Sequence, residues 1–355
     1  MSVRALFALP ASGLALAGLM FAGGTLSLAE DSLIEKDARL NDEGRVAFTE
    51  GPAWHPDGNV YFSDIANDRI MRRDADGVLH IFRTPSGRTN GNLFDLEGRL
   101  CCCEGGGLGS NRRVTRIEHN GTITVLADNY QGKKFNSPND LAIDARGRIY
   151  FSDPRYGDRA GIEQFDEDGR EIEGVYRIDA PGKVARIITH EVDRPNGVIV
   201  SPDDKYLYVA DNVNDGPRGQ GGNRKLWRFD LNADGSVDLG SRKQIFDWGT
   251  DRGPDGMAID VEGRIYAAAG FNFPKPPVET AKQHKAGVYV ISPEGELVQF
   301  IPVPIDMATN CAFGDADRKT LYITSGHKLW SIRTTTPGYL RWPSSTDDDV
   351  RRSRR

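Results

Sequence analysis

Apolar residues along this chain fall in short runs separated by turns rich in Gly and Asp. Glu50-Gly-Pro-Ala-Trp-His-Pro-Asp-Gly58-Asn-Val-Tyr-Phe-Ser-Asp64 sets the pattern: a short apolar run, a tight turn, then a returning run rich in aromatic and β-branched residues. This is the signature of an antiparallel hairpin. Asn139-Asp-Leu-Ala-Ile-Asp-Ala-Arg-Gly147-Arg-Ile-Tyr-Phe-Ser-Asp153 repeats it without a gap, as does Asp255-Gly-Met-Ala-Ile-Asp-Val-Glu-Gly263-Arg-Ile-Tyr266. Asn90-Gly-Asn-Leu-Phe-Asp-Leu-Glu-Gly98 also fits, and the copies that open at Asn196 and Asn310 need one extra residue in the turn. A third strand follows each hairpin, such as Gly287-Val-Tyr-Val-Ile291, and often a fourth, such as Thr122-Ile-Thr-Val-Leu126. Units of about four strands, roughly 40–60 residues apart, predict an all-β, six-bladed β-propeller. A strand around Val46–Phe48 is expected to close the ring against strands near Leu329–Ile332.

Composition agrees with this picture. The 40 glycines and 19 prolines of the 355 residues are spread along the chain, as many short strands and turns require. A formal net charge of −6 lacks the basic excess of a nucleic-acid-binding surface. At the N-terminus, Arg4, an apolar stretch from Ala5 to about Leu28 and the small residues of Ser27-Leu28-Ala29 read as a secretory signal peptide over 1–29, against the alternative of a retained anchor. The expected mature protein is exported, periplasmic or secreted, and free of the membrane after cleavage. Its propeller domain spans 30–343, and 344–355, with Asp347-Asp-Asp349 and four arginines, reads as a disordered tail. Cys101, Cys102, Cys103 and Cys311 lack metal-site spacing and read as small core residues, with a disulfide to Cys311 left open.

Any single Asn-Gly or Asp-Gly is a turn former. Six copies in register place Glu50, Asn90, Asn139, Asn196, Asp255 and Asn310 around the axis of a closed propeller, at one mouth of its channel. Two carboxylates and several amide carbonyls are hard oxygen donors, and crowded carboxylates favour a cation between them. Calcium suits such a cage better than magnesium, and zinc lacks its Cys or His ligands there. Such a cation polarises carbonyls and activates water, and a metal-bound Asp can act as base. His55 occupies a turn position. No G-x-S-x-G elbow, Cys-His pairing or P-loop offers other chemistry. Gly105-Gly-Gly-Leu-Gly109 and Gly219-Gln-Gly-Gly222 read as flexible loops between strands.

Glu50-Gly-Pro, Asn136-Ser-Pro-Asn-Asp140, Phe151-Ser-Asp-Pro-x-Tyr-Gly157, Pro195-Asn-Gly197 and Pro254-Asp-Gly-Met257 together resemble the gluconolactonase/regucalcin-like family over roughly residues 45–332. The resemblance implies a divalent-metal-dependent hydrolase that opens a small-molecule sugar lactone, an aldonolactone such as gluconolactone. It implies Glu50, Asn196 and Asp255 as metal ligands, Asn139 as a ligand or substrate contact, and Asp255 also as general base. It implies one divalent cation, calcium first, with zinc, magnesium or manganese as alternatives. It gives Asn90 and Asn310 no ligand role, leaving them as turn or channel-lining residues. Lys134, Arg155 and Arg218 are the loop cations that could clamp substrate. An aryl esterase or phosphotriesterase of the same fold, and a propeller that only binds, are the competing expectations.

Overall fold

The structure is a computed structural model and describes residues 32–107, 109–214 and 222–343. The proposed leader, the proposed tail and Arg218 lie outside the described residues. Six four-stranded antiparallel sheets follow one another along the chain. Blade 1 runs from Thr49–Trp54, its innermost strand, to Leu79–Arg83. Blades 2 to 5 have their innermost strands at Asn92–Phe94, Leu141–Ile143, Pro195–Val200 and Met257–Ile259. Blade 6 begins with Ala308–Gly314 and is completed by the first strand of the chain, Asn41–Arg45, which pairs antiparallel with Lys328–Arg333. This is the expected six-bladed propeller, closed by joining its two ends.

The closing strand lies a few residues before the expected Val46–Phe48. The N–H groups of Ala47 and Phe48 are not free for a ladder, because both donate to Asp64 Oδ1. That contact exposes a rule of the repeat. In blades 1, 3 and 4 an Asp at or next to the end of the second strand receives two backbone N–H groups from the chain entering that blade's innermost strand. Asp153 takes those of Asn136 and Ser137, and Asp211 those of Asp193 and Arg194. The hairpin turns follow a second rule. In Asp95, Asp144 and Asp260 one carboxylate oxygen accepts two turn N–H groups while the other pairs with Arg99, Arg148 or Arg264 four residues on. His55 stands at the same place in blade 1 and accepts from the Asp57 N–H, as its turn position predicts.

The core lies between neighbouring blades. Phe135, Phe151 and Tyr176 pack edge-to-face and stacked at centroid separations of 5.0–5.4 Å, and Tyr266 meets Phe313 of the next blade at 4.9 Å. Each such pair contributes about 1 kcal/mol beyond the area it buries. All four cysteines are buried free thiols. Cys101 and Cys103 face one interblade core and Cys102 the other, while Cys311 packs in a third, so no disulfide forms.

Burial pushes Asp153 up to about 7 and Asp211 up to about 6, against the N–H groups that favour their charged forms. An acid whose folded pKa is raised holds its proton longer in the native state. Its contribution to stability is full below the unfolded value of about 3.9 and is lost as pH rises through the folded one. The melting temperature is therefore expected to fall by several degrees between pH 5 and pH 8. A thermal melt series in matched ionic strength checks this, and a melting temperature that climbs across the window would contradict it.

Candidate active site

All six aligned positions come together as expected, each buried near the start of an innermost strand. The residue following four of them is glycine, and the structure shows why. A Cβ on Gly197 would sit 2.3 Å from the Asp255 carbonyl oxygen, and one on Gly91 would sit 2.6 Å from that of Asn139. Neighbouring blades are stitched at this point. The Gly91 N–H donates to the Asn139 carbonyl at 2.8 Å and the Gly197 N–H to that of Asp255 at 3.1 Å. Ser63 and Ser152 hydroxyls bond the carbonyls of Asn90 and Asn196. The glycines let backbones approach around the axis. Neither Asn90 nor Asn310 stands in a turn, so that reading of them is corrected, and Asn310 lines the channel cavity.

The side chains differ sharply in what they have left to offer. The Asn310 Oδ1 is spent on the Cys311 N–H at 2.8 Å. The Asn196 Nδ2 donates to the Tyr156 hydroxyl at 3.0 Å, and that hydroxyl donates to the Asn212 carbonyl. This fixes the amide, and its Oδ1 is buried with no hydrogen-bond partner. The Asn90 Oδ1 is buried and unpartnered as well. Asn139 is seated by its backbone, whose N–H donates to the Ser152 carbonyl.

Two carboxylates complete the ring. Burial, then the negative charges of Asp255 and Asp140, push Glu50 well above the ordinary carboxylate range, while the Gly51 N–H, 3.0 Å from Oε2, opposes them. Asp255 is raised by burial and held back by Arg252 and Asn196. Asp140, next to Asn139, is pushed up to about 7, chiefly by burial. Buried carboxylates that raise one another's pKa, beside amide oxygens without partners, fit a hard divalent cation. Among the described residues no three His, Cys, Asp or Glu side chains converge on a metal-sized site. A cation would therefore be held by this mixed carboxylate–amide set, whose oxygens suit calcium better than zinc.

Beyond the ring the channel turns apolar. Leu141, Val198, Met257, Ile259 and Phe313 help line a cavity of 130 Å³, with Asp140 and Asn310 among its polar lining residues. The segment Tyr339–Trp342 also borders it: the Tyr339 N–H donates to the Ile259 carbonyl, Arg341 pairs with Asp204, and Trp342 packs on Phe94 and His55.

Of the three expected substrate clamps, the structure speaks against Arg155. Arg155 is buried, and its guanidinium donates to the carbonyls of Asn136, Asp158 and Ala160, so it braces its own loop. Lys134 is exposed on the small hairpin Asn129–Tyr130/Lys133–Lys134. Arg218 lies outside the described residues. Gly105 and Gly106 are not a loose loop, since a Cβ on Gly105 would fall 1.9 Å from the Pro138 carbonyl oxygen and one on Gly106 2.6 Å from that of Arg88. The cation that does reach the ring is Arg252, whose Nη2 donates to Asp255 Oδ2 at 2.5 Å.

Comparison with known proteins converges on one family. The family described as SMP-30/Gluconolactonase/LRE-like region matches residues 48–327. The gluconolactonase of Zymomonas mobilis is 30% identical over 82% of this chain and 80% of its own length. The solved structure of a gluconolactonase from Xanthomonas campestris, 28% identical, superposes with a TM-score of 0.67, covering 85% of this chain and 91% of that one. The calcium-binding protein regucalcin from Agrobacterium tumefaciens, 17% identical, shares the fold at a TM-score of 0.62 over 84% of this chain and 94% of its own. The chain belongs to the SMP-30/gluconolactonase/LRE-like family.

Proposed function

We propose that this chain is a divalent-cation-dependent hydrolase that opens a sugar lactone of the aldonolactone kind at the mouth of its channel. The observation that carries this reading is the pairing of Glu50 and Asp255, two buried carboxylates, with the unpartnered amide oxygens of Asn196 and Asn90. The names of the gluconolactonase relatives support the substrate class. Glu50, Asn196 and Asp255 would hold the cation, with Asn139 at its edge or on a substrate hydroxyl. Bound there, the ion supplies Lewis-acid polarisation of the lactone carbonyl and a lowered pKa for water.

The chain's own residues do the rest. Asp255 has one oxygen engaged by Arg252 and uses the other to take a proton from the attacking water. The water oxygen bonds to the carbonyl carbon, the bond from that carbon to the ring oxygen breaks, and the proton passes from Asp255 to the departing alkoxide. The product is an open-chain hydroxy acid. Tyr156 keeps the Asn196 amide aimed through the step.

The test is a substrate panel followed by pH-stat at saturating calcium, with aldonolactones set against aryl esters and organophosphates. Aldonolactones are expected to turn over at least about tenfold faster in kcat/KM than either alternative class. Preference for an aryl ester would assign the sister esterase reaction. A chain that binds calcium and turns over none of the three would be a binding protein.

A further inference from the structure

Asp255 shares its buried place with a cation of the protein's own. Arg252 lies three residues upstream, in Asp251-Arg-Gly-Pro-Asp255, and its side chain is almost wholly buried. Nη2 donates to Asp255 Oδ2, Nη1 lies 3.8 Å from Glu279 Oε1, the guanidinium sits 5.2 Å over the Phe271 ring, and Nε has no partner. Glu279 Oε1 is buried without a hydrogen bond too. Glu279 stands on the connection 270–286, between the blade 5 strands Ile265–Ala269 and Gly287–Ile291. Asp251 pins that connection by accepting the N–H groups of Lys282, Gln283 and His284. The result is a buried carboxylate–guanidinium–carboxylate line, with Glu279 at its outer end and the ring's Asp255 at its inner end.

A guanidinium and a divalent ion compete for the Asp255 carboxylate. Repulsion between them acts across a buried site of low effective dielectric, where charge interactions are strong. Loosening one short side chain costs only its rotamer order. The charge effect is therefore the larger of the two. We propose that Arg252, seated by Glu279, is an internal counter-cation of Asp255 that weakens the ring's hold on its divalent ion and so keeps that ion exchangeable. This rests on the reading of the ring as a cation site.

Two neighbouring substitutions then have opposite signs. Arg252→Gln keeps a hydrogen-bond donor near Asp255 but removes the positive charge, and should tighten calcium binding about tenfold or more. Glu279→Gln leaves Arg252 less neutralised and should weaken binding several-fold. Arg252→Lys, which keeps the charge, should stay within about threefold of the parent. A purely positioning Arg252 would give the reverse for Arg252→Gln, and Glu279→Gln would then weaken binding only by letting the guanidinium wander.

The experiment is calorimetric titration of the metal-stripped full chain and its three variants with calcium chloride, without substrate, each checked for a cooperative melt. Tightening in Arg252→Gln together with weakening in Glu279→Gln supports the assignment. Unchanged or weaker binding in Arg252→Gln overturns it while leaving the cation site intact. Should Arg252→Gln fail to fold, Arg252→Met, which removes the same charge, takes its place: tighter binding there supports the assignment, and unchanged or weaker binding overturns it. If the parent chain itself takes up no calcium, zinc, magnesium or manganese, the cation site is lost and the counter-cation with it.

Discussion

Asp255→Asn should reduce lactone turnover by a factor of about a thousand while the propeller stays folded. The backbone of residue 255 is held independently of its side chain: its N–H donates to the Ala268 carbonyl and its carbonyl accepts from Gly197. Asparagine fills the same space and can still accept from Arg252. It cannot take a proton from water, and it brings no charge to a cation. General-base catalysis alone contributes about 10²- to 10⁴-fold, and the lost ligand adds to that. Two opposing changes act on stability. Arg252 loses its buried partner, which is costly. Glu50 is freed of the Asp255 charge that opposes its own ionisation, so the melt should move by only a few degrees. Turnover is measured by pH-stat with bound calcium quantified in the same sample. A variant that keeps its calcium and more than a tenth of the parent rate would mean that another group is the base.

The architecture was legible because a blade cannot bury its faces alone. Repetition of one hairpin in near-constant register means repetition of one packing problem, and closure around an axis is its solution. The same register brought Glu50, Asn90, Asn139, Asn196, Asp255 and Asn310 to one ring. Sequence could not separate Asn90 from Asn310, since both read as an Asn at the same repeat position. The difference lies in one backbone N–H, which occupies Asn310 Oδ1 and leaves Asn90 Oδ1 open.

Arg252 and Glu279 were missed for a different reason. A charge on the loop before a single blade carries no periodic mark, and its anchor comes from the connection 270–286 between two later strands of that blade. The loop cation Arg155 stands in Phe151-Ser-Asp-Pro-Arg155 beside a motif, yet turns inward to bond three carbonyls. A cation's position in sequence does not tell whether its donors face the channel or the backbone that makes its own loop. The closing strand shows the same limit. Val46–Phe48 is apolar enough for a strand, but Asp64 claims two of its N–H groups, and the more polar Asn41–Arg45 completes blade 6.

Removal of the divalent ion is the second large effect. Chelation should lower lactone turnover at least about a hundredfold, and added calcium should restore it. Without a cation, Glu50, Asp255 and Asp140 are acids that oppose one another's ionisation in a buried site. The Asn90 and Asn196 oxygens are left with nothing to bond. The native state alone gathers these donors, so calcium should stabilise it by mass action, by about 4 kcal/mol at a thousandfold excess over Kd. For a chain of this size that corresponds to a rise in melting temperature of roughly 5–10 °C. Glu50→Gln separates this site from adventitious binding. It keeps an oxygen at the ring but removes a charge, so it should lose most of the calcium-dependent rise and most of the activity at micromolar calcium. Millimolar calcium should recover part of both, because the remaining ligands still converge. Melts and pH-stat rates recorded against calcium concentration for parent and variant decide the matter. Full activity in the presence of chelator, with a calcium-independent melt, would remove the cation from this reaction and leave Asp255 to work with the ring's own polar groups.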